Sequence, residues 1–341
     1  MTIFSSLSLI IDTLNSGYPV GFPTETVYGL AANAMDDDAV KRIYALKNRP
    51  SFNPLIVHCL DMDHASEFVR FSQKAQKLAD AFWPGPLTMV LPKVVNPHRH
   101  ISKFVSAGLD TLAIRCPGHP DARKILSEID FPLAAPSANI SESVSPTSPL
   151  HVQEAFPELP IFDGGTCKRG LESTIIDLTL DTPVILRPGT LTKEDIERCL
   201  GESIFDKKDL NSFKTHNDKD QSQRATLKAP LKAPLKSPGQ MKRHYAPSIP
   251  VHLSVLDASM LTTPYVLLGF GDIPEDLKSQ AIKVINLSKS KDLSEAASKL
   301  FSSLRELDQM HNHQIAVMPI PNEGIGIAIN DRLSRAATPS S

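Results

Sequence analysis

Apolar, strand-like runs alternate with helix-like segments along the first two hundred residues. The runs are bounded by Pro and Gly, and between residues 37 and 46 Val40, Ile43 and Tyr44 recur on one helical face. Because such alternation is typical of α/β domains, it predicts a sheet with helices packed against it. The predicted strands are 18–23, 54–59, 87–91, 111–116, 133–135, 173–178 and 184–187, and the predicted helices include 37–46 and 75–83.

The composition changes after residue 205. The segment 206–247 is polar and Lys-rich and repeats LKAP, LKAP, LKSP, which favours an extended linker over a packed core. Beyond it, "YVLLGF", "AIKVINL" and "QIAVMPI" are typical of buried strands, and Leu293, Leu300 and Leu304 recur at helical spacing. We therefore expect an α/β domain at 1–205, a linker at 206–247 and a smaller α/β domain at 248–341.

Charge and cysteine usage exclude several classes of protein. A chain of 341 residues with 41% hydrophobic content can bury a large core, and a net charge of −2 argues against coating nucleic acid by bulk charge. Any anion site must then be local. The four cysteines form no C-x-x-C, and the N-terminus lacks the basic region of a targeting signal, so we expect a cytoplasmic protein without a zinc site.

Four cationic residues are candidates for such a local anion site. "YALKNRPSFNPLIVHC" carries Lys47 and Arg49 with no acidic residue, and we expect this pair to be solvated and to add little to stability. Arg115 and Arg187 each end an apolar run just before Pro. A guanidinium there is costly unless it meets a carboxylate or phosphate. For a single Arg in this position, an internal salt bridge to Asp or Glu is the plainer interpretation. Two Arg in matching positions, together with Lys47 and Arg49, favour a shared anionic ligand.

Small polar residues follow two of the predicted strands. "FPTETVYGLAANA" offers Thr24, Glu25 and Thr26, and "APSANISESVSPTSP" offers hydroxyl and amide groups suited to phosphate oxygens. Satisfied turns and polar loops are the plain alternatives for both. Neither G-x-x-x-x-G-K-[ST] nor G-x-G-x-x-G after the first strand is present, so the standard phosphate loops do not apply.

Taken together, these segments resemble the threonylcarbamoyl-AMP synthase family in its long form. The resemblance is carried by "FPTETVYGLAANA", the K-x-R of "LKNRPSFNPLIVH", "WPGPLT", "TLAIRCPGHP", the S-x-N of "APSANISESVSPT", "GLESTIIDL", "ILRPGTLT", "PGQMKRHYAP" and "EGIGIAINDRLSRAA". It implies a YrdC-type α/β domain with a twisted sheet and an open basic cavity, then a smaller Rossmann-like α/β domain. The linker between them is expected to act as a lid, with Arg243, His244 and Tyr245 at its end.

The resemblance also implies an activity. Members combine L-threonine, bicarbonate and ATP, with Mg2+, to give threonylcarbamoyl-AMP and pyrophosphate, and a separate tRNA threonylcarbamoyl transferase complex uses the product next to the anticodon. The residues that the resemblance marks as catalytic are Lys47, Arg49, Ser137 and Asn139. Those on the ATP side are Lys47, Arg49, Asn53, Thr111, Ser137, Ser145, Arg187 and Tyr245. L-Threonine is held by Thr26, His58, Arg115 and Ser173, and no metal ligand is assigned.

Two other functions compete with this one. An RNA-binding module could use the same basic cavity for a phosphate backbone, but an aromatic content of 6% without an RNP-like run supplies few stacking platforms. A relative that uses carbamoyl phosphate usually carries zinc-finger and acylphosphatase-like segments, which this sequence does not show.

Overall fold

A mixed sheet of ten strands organises the first two hundred residues of the computed structural model, which describes residues 2–95, 98–206, 209, 243–261 and 264–339. The order is β1-β8-β2-β3-β7-β4-β6-β5-β9-β10. The strands are β1 (Ile3–Phe4), β2 (Val20–Phe22), β3 (Gly29–Asn33), β4 (Ile56–His58), β5 (Leu87–Pro92), β6 (Thr111–Arg115), β7 (Leu133–Ala134), β8 (Ile161–Phe162), β9 (Thr174–Asp177) and β10 (Val184–Arg187).

Helices cover this sheet, and the largest apolar cluster lies between them and the strands. They are α1 (Leu7–Asn15), α2 (Asp37–Lys47), α3 (Met62–Ser66), α4 (Gln73–Phe82), α5 (Pro120–Ser127), α6 (Pro149–Ala155) and α7 (Lys193–Leu200). In α2, Asp36 caps the first turn by accepting from two backbone N–H groups. The helix ends at Asn48, whose left-handed φ of 50° and ψ of 41° turn the chain towards Arg49.

All seven predicted strands are present, with ends shifted by at most two residues. Three further strands, β1, β3 and β8, were missed. The sequence of β3 is Gly-Leu-Ala-Ala-Asn, in which small residues give no clear alternation, and β1 and β8 are only two residues long. The α/β class predicted from the alternation is confirmed.

The C-terminal region forms a second α/β unit. Its four strands are all parallel in the order β11-β14-β12-β13. Their bounds, with those of the accompanying helices, are β11 (Val251–His252), β12 (Tyr265–Gly269), β13 (Val284–Asn286), β14 (Gln314–Val317), α8 (Glu275–Gln280), α9 (Leu293–Asp308), α10 (Gly326–Ala336) and a 3-10 turn (Ala258–Met260). The helical spacing of the leucines is confirmed, because Leu300 and Leu304 of α9 are buried.

The two units share one apolar cluster. Val27, Val144 and Leu171 of the first unit pack with Tyr245 and Phe301 of the second in a single group of buried side chains. No helix in the described part of the chain is long and apolar enough to cross a membrane.

Most of the predicted linker, residues 207–208 and 210–242, lies outside the described residues. Its end, 243–247, is described and contacts the first unit. Ala246 donates its N–H to the carbonyl of Glu142 at 2.8 Å, and Arg243 Nε lies 3.5 Å from the carboxylate of the same residue. This contact places His244 and Tyr245 against the sheet domain.

Candidate functional site

A cavity of about 40 Å3 lies where the loop after β2 meets β4, β6 and β10. Because β4 and β6 are parallel, His58 and Arg115 are Cα partners and emerge at the same edge of the sheet. Such a volume holds only a few water molecules. The lining residues are Thr24, Thr26, Val27, Tyr28, Gly29, Arg49, Ile56, His58, Arg115, Ala135, Pro136, Ser137, Glu172, Ser173, Arg187, His244 and Tyr245.

Lys47 supports the cavity from behind. It is 1% exposed, and its Nζ donates to the carbonyl oxygens of Ser137, at 2.6 Å, and of Asn139. Burial, and then the neighbouring Arg49, hold the pKa of Lys47 well below its usual value. The expectation of a solvated cation pair is therefore wrong for Lys47, because helix α2 delivers its ammonium into the interior. Its two hydrogen bonds fix the loop that carries Ser137.

Arg49 lines the cavity itself. Its Nε donates to the carbonyl of Asn53 at 3.1 Å, and its Nη2 donates to the carbonyl of Pro54 at 2.8 Å. Burial lowers the pKa of Arg49 to about 10, against an opposing effect of Tyr44, so the guanidinium stays charged at neutral pH. Backbone oxygens orient this cation without neutralising it, which leaves its charge available to an anion.

Arg115 forms an internal salt bridge, which was one of the two alternatives that the sequence left open. Its Nη2 donates to Glu25 Oε1 at 2.5 Å, its Nη1 to Thr26 Oγ1 at 2.9 Å and its Nε to the carbonyl of Gly85 at 3.1 Å. Burial alone raises the pKa of Glu25, but Arg115 and backbone N–H donors outweigh it and the net pKa is lowered. Glu25 is thus a carboxylate that holds Arg115 at the cavity wall.

Arg187 differs from Arg115 in its partners. Its Nε and Nη2 donate to the carbonyl of Ser173 at 3.2 and 3.0 Å, and Nη2 also donates to Ser173 Oγ at 3.1 Å. Ser173 Oγ lies 2.7 Å from Thr88 Oγ1. Neutral oxygens orient the Arg187 guanidinium, and burial lowers its pKa. Among the described residues, Arg187 has no carboxylate in hydrogen-bond contact. Of the two arginines with matching sequence contexts, Arg187 is the one better suited to an anionic ligand.

His58 is a neutral ring in the cavity wall. Its Nδ1 lies 3.2 Å from the carbonyl oxygen of Ile56. Because a carbonyl can only accept, Nδ1 carries the proton and Nε2 is left as an acceptor. Burial, and then Arg115, lower the pKa of His58 to about 3. The ring can therefore accept a hydrogen bond at neutral pH without adding charge.

The remaining predicted residues differ in where they lie. Ser137 lines the cavity, whereas Asn139 is buried beside it and pins its own loop by donating from Nδ2 to the carbonyls of Ile140 and Ser143. Asn53 is buried next to Arg49, whose guanidinium its carbonyl accepts. Thr24 Oγ1 lies 2.8 Å from Thr26 Oγ1, so both threonines of this loop are in the wall.

Two further residues predicted on the ATP side, Thr111 and Ser145, do not line the cavity. Thr111 pairs with Pro92 at the opposite end of β6 from Arg115, about 13 Å away at ~3.3 Å per residue, and it does not line the cavity. Ser145 donates its hydroxyl to Glu172 Oε1 at 2.6 Å. Because the hydroxyl can rotate to another acceptor, the ATP-side role of Ser145 stays a prediction.

His244 and Tyr245 complete the wall. Tyr245 is fully buried and stacks on Phe301 with ring centroids 5.4 Å apart, and the His244 ring lies 4.0 Å from the Tyr245 ring. Burial, and then Arg49 and Lys47, hold the pKa of His244 well below its usual value. The end of the linker therefore forms part of the cavity wall.

Glu172 and Arg332 were missed from the sequence, and Glu25, which was named, was given no partner. Arg332 is fully buried, and its Nε donates to Glu172 Oε2 at 2.9 Å. All three occur in the quoted motifs, but Glu25 pairs 90 residues away and Glu172 pairs 160 residues away. A single sequence gives no signal for pairing over such separations.

The fold and the site define a two-domain α/β protein with a small cavity lined by three guanidinium groups, which suits anionic ligands. Residues 12–189 match the Sua5, YciO and YrdC family model, described as "Telomere recombination", and residues 191–338 match "Threonylcarbamoyl-AMP synthase, C-terminal domain". The chain belongs to the threonylcarbamoyl-AMP synthase family, in its long form, and is an enzyme of that kind.

Individual relatives cover nearly the whole chain. The threonylcarbamoyl-AMP synthase of Pyrococcus abyssi is 37% identical over 95% of this chain and 92% of its own, and that of Bacillus subtilis is 38% identical over 93% and 89%. The crystal structure of P. abyssi Sua5 complexed with L-threonine aligns with a TM-score of 0.81 at 36% identity, over 97% of this chain and 94% of that one. These similarities do not favour the RNA-binding alternative.

Proposed function

We propose that this chain makes threonylcarbamoyl-AMP from L-threonine, bicarbonate and ATP, with release of pyrophosphate, for modification of tRNA next to the anticodon. The observation that carries the proposal is the set of guanidinium groups, Arg49, Arg115 and Arg187, that line one cavity. Relatives that share both domains are named for this synthase, and one of them has been crystallised with L-threonine.

Arg115 is the natural partner of the threonine carboxylate. A guanidinium has five N–H donors, and three of those on Arg115 are taken by Gly85, Thr26 and Glu25. One donor remains on each terminal nitrogen, which supports recognition of a carboxylate. The neutral His58 ring and Ser173, which also line the cavity, provide polar contacts for the rest of the amino acid.

Arg49, Arg187 and Ser137 are assigned to the triphosphate. The amine of threonine and bicarbonate give a carbamate and water, and a carbamate oxygen attacks the α-phosphorus while the bond to the β-phosphate breaks. Two anions must approach in this step, and fixed cations lower the repulsion and stabilise the charge on the leaving pyrophosphate. Two of the three Lys47 Nζ donors bind the carbonyls of Ser137 and Asn139, so Lys47 positions that loop and keeps one donor for the triphosphate.

Mg2+ is proposed to enter with ATP as part of the substrate. Glu25 and Glu172, two carboxylates at the cavity, already accept hydrogen bonds from protein donors. No group of three or more metal-binding side chains occurs in the described part of the chain. Phosphate oxygens and water are therefore the proposed ligands, which is the usual manner of holding Mg2+ in phosphoryl-transfer sites.

The linker end is proposed to open and close over this site. His244 and Tyr245 border a cavity too small for a nucleotide and an amino acid, so these side chains must move for the substrates to enter. Closure would then keep water from the mixed anhydride of the product. The product is proposed to pass to a separate tRNA threonylcarbamoyl transferase complex.

Mass spectrometry of the product tests this function. Incubation with ATP, L-threonine, Mg2+ and 13C-bicarbonate should give labelled threonylcarbamoyl-AMP, and Arg187→Gln should lower the yield by at least a hundredfold. Arg198→Gln is the matched control, because Arg198 is an exposed cation of α7 that pairs with nearby Asp195. The proposal fails if the wild type gives no labelled product under conditions in which it binds ATP and threonine.

A further inference from the structure

The cavity wall includes a carboxylate as well as cations. Glu172 lines the cavity, is 5% exposed and directly precedes Ser173. A carboxylate beside a polyanionic nucleotide repels it, and the repulsion is strong where water is excluded. If the proposed function holds, the charge of Glu172 must be offset before ATP can bind well.

The offsetting cation comes from the C-terminal domain. Arg332 lies on α10, its side chain is fully buried, and its Nε donates to Glu172 Oε2 at 2.9 Å. Its Nη1 donates to Asp331 Oδ2 at 2.8 Å, and its guanidinium carbon lies 5.2 Å from the ring centroid of Tyr245. A single side chain thus joins the catalytic-domain carboxylate to the closing aromatic residue.

Both oxygens of Glu172 are engaged by the protein. Oε2 accepts from Arg332, and Oε1 accepts from Ser145 Oγ at 2.6 Å. Only the first of these donors carries a charge. Without Arg332, the carboxylate would keep a neutral hydrogen bond and would lose the one of these two donors that carries a positive charge, at the wall of the anion site.

We propose that Arg332 is a positioning residue that neutralises Glu172 and so makes the C-terminal domain an electrostatic part of the nucleotide site. The inference rests on the proposed function. The competing role is simple domain docking, and Arg305 provides a measure of it. Arg305 crosses the same boundary by donating from Nη2 to the carbonyl of Val144 at 2.6 Å and by pairing with Glu154, without touching Glu172.

Steady-state kinetics of full-length variants test the proposal. Arg332→Met should raise the KM for ATP at least tenfold and change kcat less than threefold. Removing the carboxylate together with its counter-charge, in Glu172→Gln with Arg332→Met, should bring that KM back to within threefold of the wild type. Arg305→Met should lower the Tm while leaving the KM within twofold, because the charge of Glu172 remains offset.

The outcomes separate this inference from the proposed function. Rescue of the KM with a Tm that stays as low as that of Arg332→Met supports the inference. Rescue of the KM and the Tm together assigns the pair to docking and overturns the inference, because a buried unpaired carboxylate destabilises the domain interface by itself. If Arg332→Met does not fold, the test uses Arg332→Lys and the double variant instead. Each of these should keep the KM for ATP within threefold of the wild type. A tenfold rise in the KM of either variant overturns the proposal. If the wild type makes product and Arg332→Met has an unchanged KM for ATP, this inference is wrong while the proposed function stands.

Discussion

At the scale of single residues, burial controls the charge of the histidines around the site. Burial, and then Arg115, lower the pKa of His58 to about 3, and burial, followed by Arg305, lowers that of His151 to about 4. His244 is lowered well below its usual value by burial and then by Arg49. The native protein therefore keeps these rings neutral, and an unfolded chain binds protons on them below pH 6.5.

This difference predicts acid sensitivity. Between pH 6.5 and the folded pKa the unfolded state binds the extra proton, so the free energy of unfolding falls as pH falls, by about 1.4 kcal/mol per pH unit for each such ring. Urea unfolding measured from pH 7.5 to 5 should show this slope. His58→Gln should reduce the slope by the contribution of one ring, about 1.4 kcal/mol per pH unit. His252→Gln, at an exposed position of β11, is the control for replacing a histidine by glutamine. An identical slope in His58→Gln would contradict the prediction.

Residue types in the sequence indicated several side chains of the site, whereas their partners depend on how the sheet brings distant segments together. Arg49, Arg115 and Arg187 come together because their strands or preceding helix end at one site. Thr111 does not, since it begins the strand that Arg115 ends. The partners of Glu25 and Glu172 lie in other motifs, so their hydrogen bonds could not be derived from local sequence.

At the scale of elements, the loop before β9 is shaped by its contact with α9. Gly170 has a left-handed φ of 69°, and a Cβ there would lie 2.5 Å from the Cα and carbonyl oxygen of Ser298. Backbone atoms of a helix packed on one face cannot move aside cheaply. This loop leads directly to Glu172 and Ser173, so the glycine allows the second domain to approach the site closely.

Substitution of this glycine should therefore be costly. Gly170→Ala places a Cβ on a left-handed backbone and against α9, and both effects destabilise the fold. We expect a loss of about 3 kcal/mol in the free energy of unfolding. Gly165→Ala is the matched control, because Gly165 has a similar φ of 70° but no atom within 4 Å of the added Cβ, and should lose only about 1 kcal/mol. Equal losses in urea denaturation would show that the contact with α9 does not matter.

Element type was predictable wherever the apolar pattern was long. Strands β4, β6 and β10 and helix α2 follow from their sequences, and these elements carry most of the site. The short strands β1 and β8 and the small-residue strand β3 exist because neighbouring strands pair with them. Such tertiary pairing leaves little trace in local composition.

At the scale of the whole molecule, the two domains are joined through shared apolar surface as well as through polar contacts. Leu171 of the first domain and Phe301 of the second are fully buried in one cluster with Tyr245. Separating the domains would expose both sides of this cluster to water, at a cost of about 25 cal/mol per Å2 of apolar area. The two units should therefore be coupled in stability, whereas the sequence alone indicated two units and a linker without showing what joins them.

Calorimetry of the full-length protein should accordingly show one unfolding transition, with equal calorimetric and van't Hoff enthalpies. Leu171→Ala opens a cavity in the shared cluster and should cost about 2 to 5 kcal/mol, moving the entire transition to lower temperature. Leu277→Ala is the matched control, because Leu277 is equally buried but packs in a separate cluster within the C-terminal domain. If the domains are coupled, this change must also move the whole transition. Two resolved transitions, or a shift confined to one of them in either variant, would show that the domains unfold independently.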